Sequence, residues 1–268
     1  MNKIGFPGLG INVFKINPVA FTLFGKDIYW YGIIIAFGFL LAIIVCSSIC
    51  KKDGLTKDNV YDMVLWSTIP AIICARIYYV IFNFEDYIDN PIDIIKIWEG
   101  GIAIYGAIIG AAIMVYIYCK KSGVKTLKAF DLGVIGVTIG QIIGRWGNFV
   151  NAEAHGTVTS LPWRMAIFEG GKIIEVHPTF LYESLWNIGV LSILLFLYFR
   201  KKFDGQIFYT YVLGYGIGRA IIEGLRTDSL YLGPVRVSQM LAIISAAAAL
   251  ILLIVNCKKN TTNLKNFD

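Results

Sequence analysis

Residues 130–156 read "FDLGVIGVTIGQIIGRWGNFVNAEAHG". The first half is apolar and glycine-rich, whereas the second half gathers Arg145, Asn148, Asn151, Glu153 and His155. A helix crossing lipid avoids such groups, because each is costly to desolvate unless it finds a partner. The stretch therefore reads as a membrane span that ends in a protein-lined polar site.

Composition extends this reading to the whole chain. Of 268 residues, 57% are apolar and only 16% charged, against about a quarter charged in an average soluble domain. The mean hydropathy is +0.66. A window near the length of a bilayer-spanning helix finds hydrophobic stretches at about 30–50, 60–82, 100–119, 130–150, 179–199, 206–225 and 237–256. The expected fold is an all-α integral membrane protein, a bundle of seven transmembrane helices forming one polytopic domain over residues 1–268. No internal repeat or low-complexity linker divides it. Residues 1–28 lack the short apolar core and small-residue cleavage site of a secretory signal, so no cleavable signal is expected. Cys46, Cys50, Cys74, Cys119 and Cys257 form no CxxC or metal pattern. They read as packing residues, and neither a metal nor another cofactor is expected.

The net charge of +6 is unevenly placed. Segments 51–58, 120–129, 200–205 and 257–268 carry thirteen Lys and Arg; the alternating segments 1–29, 83–99, 151–178 and 226–236 carry eight over a greater length. The positive-inside rule then puts the C-terminus in the cytoplasm and the N-terminus outside. Basic inner loops beside anionic lipid account for the charge, and no nucleic-acid partner is expected. Residues 1–29 become an outer arm, 152–178 an outer loop, and 257–268 a cytoplasmic tail. Within that loop, "WRMAIF" and "KIIEV" flank a Glu-Gly-Gly turn and predict a short hairpin.

This topology collects the polar groups. Tyr31 opens the first span, Arg76 falls toward the outer end of the second, and Tyr105 sits near the outer start of the third. Arg145 and Asn148 end the fourth span, His177, Tyr182 and Glu183 begin the fifth, and Arg219 and Glu223 lie late in the sixth. All converge on the outer half, while Asp62 and Asp131 are expected close enough to the inner surface to be hydrated. Gln141, Arg145 and Asn148 stand at i, i+4 and i+7, on one face of a helix. Gly136, Gly140 and Gly144 form an adjacent small-residue stripe suited to close helix approach. Arg219 and Glu223, at i and i+4, can pair. Arg76 reads as a structural charge of the kind that holds helices in register through an Arg–Glu pair. Tyr31 is compatible with an ordinary aromatic belt as well as with a site.

Two arginines facing an outer-leaflet cavity suit a phosphate ester, since guanidinium binds phosphate oxygens in a bidentate fork. For a protein embedded in lipid, the natural candidate is a phospholipid headgroup. No GxSxG or HExxH motif is present. A transferase whose arginines stabilise a departing phosphate fits better than hydrolysis by a protein nucleophile. A secondary transporter or channel for an anionic solute is the alternative. Such a pathway should continue toward the inner face, where charge is sparse, and many transporters carry inverted repeats.

"GRWGNFVNAEAHG" at 144–156 resembles the signature of the prolipoprotein diacylglyceryl transferase family, bacterial membrane enzymes that lipidate lipoprotein precursors. Further resemblance lies in "WYG" opening the first span, "WEGGIAIYGAIIG" at the third, "HPTFLYE" at the fifth and "YGIGRAIIEGLR" at the sixth. Five strings in the family's order cover most of the chain. The resemblance implies transfer of the diacylglyceryl group of phosphatidylglycerol to the lipobox cysteine of a prolipoprotein signal peptide, releasing glycerol 1-phosphate. It implies headgroup binding by Arg145, Asn148 and Arg219, a tight turn at Gly156, orienting roles for Glu153 and Glu223, and a polar contact from Tyr31 at the entrance. It also implies location in the bacterial cytoplasmic membrane with the site toward the outside. Many family members carry histidine at the position of Tyr105, and that histidine has been cast as the base. A tyrosine is a poor base at neutral pH, so Tyr105 reads as an orienting hydrogen-bond donor. The base stays open among His177, Glu153 and no dedicated group, with His155 a weaker choice.

Overall fold

A computed structural model of the protein describes residues 1–265 apart from 228 and 230. Seven long helices dominate: α1 (Trp30–Ile49), α2 (Lys57–Phe82), α3 (Ile104–Ser122), α4 (Thr126–Asn151), α5 (Thr179–Tyr198), α6 (Gln206–Glu223) and α7 (Val237–Lys265). By length and composition six of them, all but α6, can cross a membrane. Large apolar side chains stay exposed along them, including Phe37, Leu40 and Ile44 on α1 and Ile243, Ile244 and Ile251 on α7. Hydrocarbon solvates such faces, while the helix satisfies its own backbone polar groups. The protein is a mostly helical, multi-pass membrane protein. The eighteen residues of α6 include three tyrosines, Thr210, Arg219 and Glu223, which lower its hydropathy.

Several helix boundaries differ from expectation; α4, for instance, begins at Thr126 rather than at 130. Gly100 and Gly101 take φ values of +97° and +72°, so α3 begins at Ile104 rather than at 100. At the C-terminal end, α7 runs past 256 through Lys265. Of the expected tail 257–268, residues 266–268 lie outside the described ones.

The chain divides into two compact units, one of residues 46–130 and one of 1–45 with 131–268. In the first, α2 lies along α3. An added Cβ at Gly110 would come within 2.7 Å of Cys74 Cβ, so small residues set this approach. Arg76 is buried and structural, but not through a Glu. Its guanidinium donates to the carbonyls of Asp93 (2.6 Å), Ile94 (2.8 Å), Gly100 (2.7 Å) and Gly101 (2.7 Å). A planar donor fork can satisfy several carbonyls of an irregular segment at once, and here it fastens the chain leading into α3.

The second unit carries the strands β1 (Asn2–Phe6), β2 (Ile11–Ile16), β3 (Val19–Leu23), β4 (Lys26–Tyr29), β5 (Met165–Glu169), β6 (Lys172–Val176), β7 (Tyr231–Leu232) and β8 (Val235–Arg236). One antiparallel sheet has the order β2-β1-β5-β6, with Ile4 opposite Ile167 and Met165 opposite Val176. Gly170 and Gly171, at φ +58° and +83°, make the β5–β6 turn that side chains would strain. Ile4, Met165, Ile167 and Val176 bury one face of this sheet against Phe180 of α5, with Phe149 of α4 packed alongside. The sheet is thereby seated on the last turn of α4 and the first turn of α5.

Two helix-level expectations change. Asp131 is fully buried rather than hydrated. It accepts from Lys201 Nζ and the Gly205 amide, both at 2.8 Å, and from the Phe208 amide at 2.9 Å; the carboxylate thus satisfies free amides at the start of α6. In the glycine stripe, Gly140 has open space around it, whereas an added Cβ at Gly144 would stand 3.1 Å from Ile35. At Gly147 an added Cβ would clash with the ring of Tyr31.

Candidate functional site

The end of α4 and the segment after it create the site. Arg145 and Asn148 share one face, and Nη1 of Arg145 lies 3.4 Å from the Asn148 Oδ1. Beyond α4, Ala152 and Ala154 both adopt φ +54°, a left-handed conformation that costs a non-glycine residue about 1 kcal/mol or more. Between them Glu153 turns back: its amide donates to the Asn148 carbonyl at 3.0 Å. Its carboxylate accepts from Asn148 Nδ2 at 2.9 Å and from Asn151 Nδ2 at 3.4 Å.

Three helix ends are then stitched together by backbone. The Gly156 amide donates to the His177 carbonyl at 2.9 Å, and the Thr157 amide to the Leu225 carbonyl at 2.7 Å. A Cβ at Gly156 would lie 2.7 Å from His177 Cβ and 3.0 Å from the Leu225 oxygen. Close approach therefore explains the glycine; its φ is not left-handed. This crossing brings the entry of α5 and the exit of α6 beside the end of α4.

What converges there is an ionic cluster centred on Glu183 of α5. Its Oε2 forms a close ion pair with Arg145 Nη2. Its Oε1 takes Arg226 Nη1 at 2.9 Å and Arg219 Nη1 at 3.3 Å. Glu223 Oε2 holds Arg219 Nη2 at 2.6 Å, the i, i+4 pair expected from spacing. Both carboxylates are buried, with 4% and 1% of their side chains exposed, while Arg145 and Arg219 keep 20% and 17%. Three guanidinium groups thus meet two carboxylates, and the accessible edge is cationic. Such an edge can take an anion, since its arginines are already oriented from behind.

Two members of this cluster were not among the expected site residues. Glu183 stood among the polar groups expected to converge on the outer half but carried no assigned role, and Arg226 stood only as the last residue of the string at the sixth span. Arg219, Glu223 and Arg226 share the i, i+4, i+7 spacing of Gln141, Arg145 and Asn148, a signal that could have found Arg226. No spacing points to Glu183, because its partners come from other elements.

The remaining expected residues fall as follows. Tyr31 rests its ring on Gly147. His177 approaches the Tyr182 hydroxyl through Nδ1 at 3.2 Å, and Trp163 Nε1 donates to that same hydroxyl at 2.7 Å. Burial pushes the His177 pKa below the ordinary histidine value, keeping the imidazole neutral. His155 sits with Nε2 3.5 Å from Glu169 Oε2, facing the hairpin. Tyr105 belongs to the 46–130 unit, where it opens α3 beside Tyr78 with ring centroids 6.3 Å apart. Among the described residues, no three His, Cys, Asp or Glu side chains gather as a metal site would require.

Fold and site define a multi-pass membrane protein that gathers arginines from separate helices around buried carboxylates. The family model for prolipoprotein diacylglyceryl transferase matches residues 18–255, and the chain belongs to that family. It is 44% identical over 249 residues to the phosphatidylglycerol–prolipoprotein diacylglyceryl transferase of Clostridioides difficile (strain 630), covering 93% of this chain and 99% of that one. To the protein of the same name from Finegoldia magna it is 47% identical over 238 residues, covering 88% and 94%. To that from Bacillus velezensis it is 42% identical over 277 residues, covering 100% and 99%.

Proposed function

We propose that this protein transfers the diacylglyceryl group of phosphatidylglycerol to the lipobox cysteine thiol of prolipoproteins and releases glycerol 1-phosphate. The single observation that carries the chemistry is the arginine cluster around Glu183. The substrate thiolate attacks the glycerol carbon that bears the phosphate. A C–S bond forms, the C–O bond breaks, and its electron pair stays on the phosphate oxygen. The phosphate group passes from one negative charge toward two, so guanidinium groups grip it more tightly in the transition state than in the ground state.

Arg145 and Arg219 are the groups that touch the phosphate, with Asn148 beside them. Glu183, Glu223 and Arg226 hold the two arginines in place, and Glu153 orients the Asn148 amide. Gly156 admits the close chain crossing, and Tyr31 covers the entrance. Tyr105 donates a hydrogen bond rather than accepting a proton. His177 is neutral, and the Tyr182 hydroxyl, accepting from Trp163, donates its own proton to Nδ1; the ring is left with Nε2–H as a donor. The proton of the thiol then needs no dedicated base, because nearby guanidinium groups favour thiolate.

The charge distribution supports seven spans in the bacterial cytoplasmic membrane, with the N-terminus outside, the C-terminus in the cytoplasm and the site toward the outer face. Residues 1–29 and 152–178 are outer elements, and the chain that follows 256 lies inside. The test is to incubate the purified protein with phosphatidylglycerol vesicles and a lipobox peptide and to weigh the product. A peptide carrying a diacylglyceryl thioether is expected; its absence in every lipid tested would overturn the reading.

A further inference from the structure

The sheet β2-β1-β5-β6 has two edges, and only one of them is covered. Beyond β6, Val158 bridges to Val176, and the Thr159 amide donates to the Glu175 carbonyl at 3.0 Å. Among the described residues, nothing pairs with the other edge, β2. Ile11 through Lys15 are all exposed, the apolar Ile11, Val13 and Phe14 included. An open edge presents unpaired N–H and C=O groups, and proteins normally cover or blunt it. β2 has no proline and a single charge, Lys15. Hydrocarbon is a poor cover, since it leaves main-chain polar groups unsatisfied. Another extended chain satisfies them.

Position and direction identify that chain. Asn2 Nδ2 donates to the Val150 carbonyl at 2.8 Å, which fixes the start of β1 to the last turn of α4, beside Asn148 and Asn151. Ile16 stands opposite Asn2 and packs in one cluster with Phe149 and Ala152. β2 therefore ends at the site. Its pairing with β1 is regular there, and the register shift falls at the far end, between Ile4 and Phe6. A segment that leaves the site along β2 runs from Ile16 toward Ile11, against the direction of β2. That direction gives an antiparallel pair, the more stable kind.

We infer that β2 is the docking edge for the prolipoprotein segment that follows the lipobox cysteine, and that this segment adds to the sheet as an antiparallel strand. The six residues of β2 span about 20 Å and so guide about six residues of substrate. Main-chain pairing suits an enzyme that serves precursors of different sequence, because every residue except proline offers the same donor and acceptor. With the segment held on β2, its cysteine lies at the Ile16 end, beside the last turn of α4.

The inference rests on the transferase reading, and its test uses the full-length protein with phosphatidylglycerol vesicles and synthetic lipobox peptides. As the tail after the cysteine grows from about one to about six residues, KM for the peptide should fall about fivefold and then level off, with kcat little changed. A single N-methyl group moved along the tail should raise KM about fivefold at every second residue and by less than about twofold between, because alternate N–H groups of a strand face its partner. A photo-crosslinking residue in the middle of the tail should mark β2 or the neighbouring β1. A KM indifferent to tail length, an N-methyl effect that is absent or equal at every position, or crosslinks to lipid or to other parts of the chain overturns the docking edge, while adduct formation with the unmodified peptide stands. A protein that forms no adduct with any peptide overturns the transferase reading itself.

Discussion

Nη1 of Arg226 stands 2.9 Å from Oε1 of Glu183, and the same carboxylate also binds Arg145 and Arg219. One buried acid from α5 therefore fixes cations from α4, α6 and the turn after α6. Removing its charge leaves Glu223, which pairs with Arg219, as the remaining carboxylate of this cluster. Glu183→Gln keeps the volume and should lower kcat/KM on the order of 100-fold, comparable to the loss of an oriented oxyanion donor. Stability should fall by about 3 kcal/mol or more, as for a buried ion pair left with one member. Adduct formation and thermal unfolding of the same preparation measure both. A variant with wild-type turnover would show that the arginines orient themselves.

Arg145 tests the fork rather than the charge. Its Nη2 is engaged with Glu183 and its Nη1 faces Asn148 at 3.4 Å. A lysine at this position keeps one positive charge but cannot span both partners and a phosphate in one plane. Arg145→Lys should lose about 10- to 100-fold in kcat, on the scale of an interaction made mainly in the transition state. Steady-state rates over a phosphatidylglycerol series decide the matter, and a defect only in KM would assign Arg145 to ground-state binding.

Two glycines separate geometry from flexibility. At Gly156 an added methyl would meet His177 Cβ at 2.7 Å and the Leu225 oxygen at 3.0 Å. Gly156→Ala should part the three helix ends, costing about 1–3 kcal/mol as other overpacked sites do, with activity falling further than stability. Gly140 in α4 meets nothing within 4 Å. Gly140→Ala should be neutral or stabilise by about 0.5–1 kcal/mol, since it removes backbone freedom from the unfolded chain. Equal effects at the two sites would contradict the crossing geometry.

The helices were legible because a run of about 20 apolar residues has few other uses. The β5–β6 hairpin was legible because Gly170 and Gly171 interrupt two alternating runs. What lay hidden depends on contacts distant in sequence. β1 pairs with β5 across some hundred and sixty residues of chain, as in Ile4 with Ile167. Asp131 was expected at a wet surface, but Lys201 and two amides at the start of α6 enclose it. Glu183 had no local spacing to betray it, and only folding reveals that it serves Arg145, Arg219 and Arg226 together. Arg76 showed its structural nature in advance, but its backbone partners could not be read from side-chain pairing rules.

The pH dependence of stability can be argued from His177. Burial alone moves its pKa below the ordinary 6.5, because it disfavours the imidazolium. The unfolded chain then binds a proton at a higher pH than the folded one, so stability rises with pH across that interval. The contribution is complete above the unfolded value near 6.5 and is lost as the pH falls through the lower folded value. Protonation would also set an Nδ1–H against a Tyr182 hydroxyl that already accepts from Trp163. Thermal midpoints in buffers from neutral to acidic should therefore fall more steeply for the wild type than for His177→Gln, which has no proton to take up. Parallel slopes for the two proteins would remove His177 as the source. In the adduct assay at neutral pH, a donor role predicts that His177→Gln, which retains an N–H, keeps most of the wild-type turnover. A collapse of turnover together with loss of the acidic limb of the rate profile would instead make His177 the base.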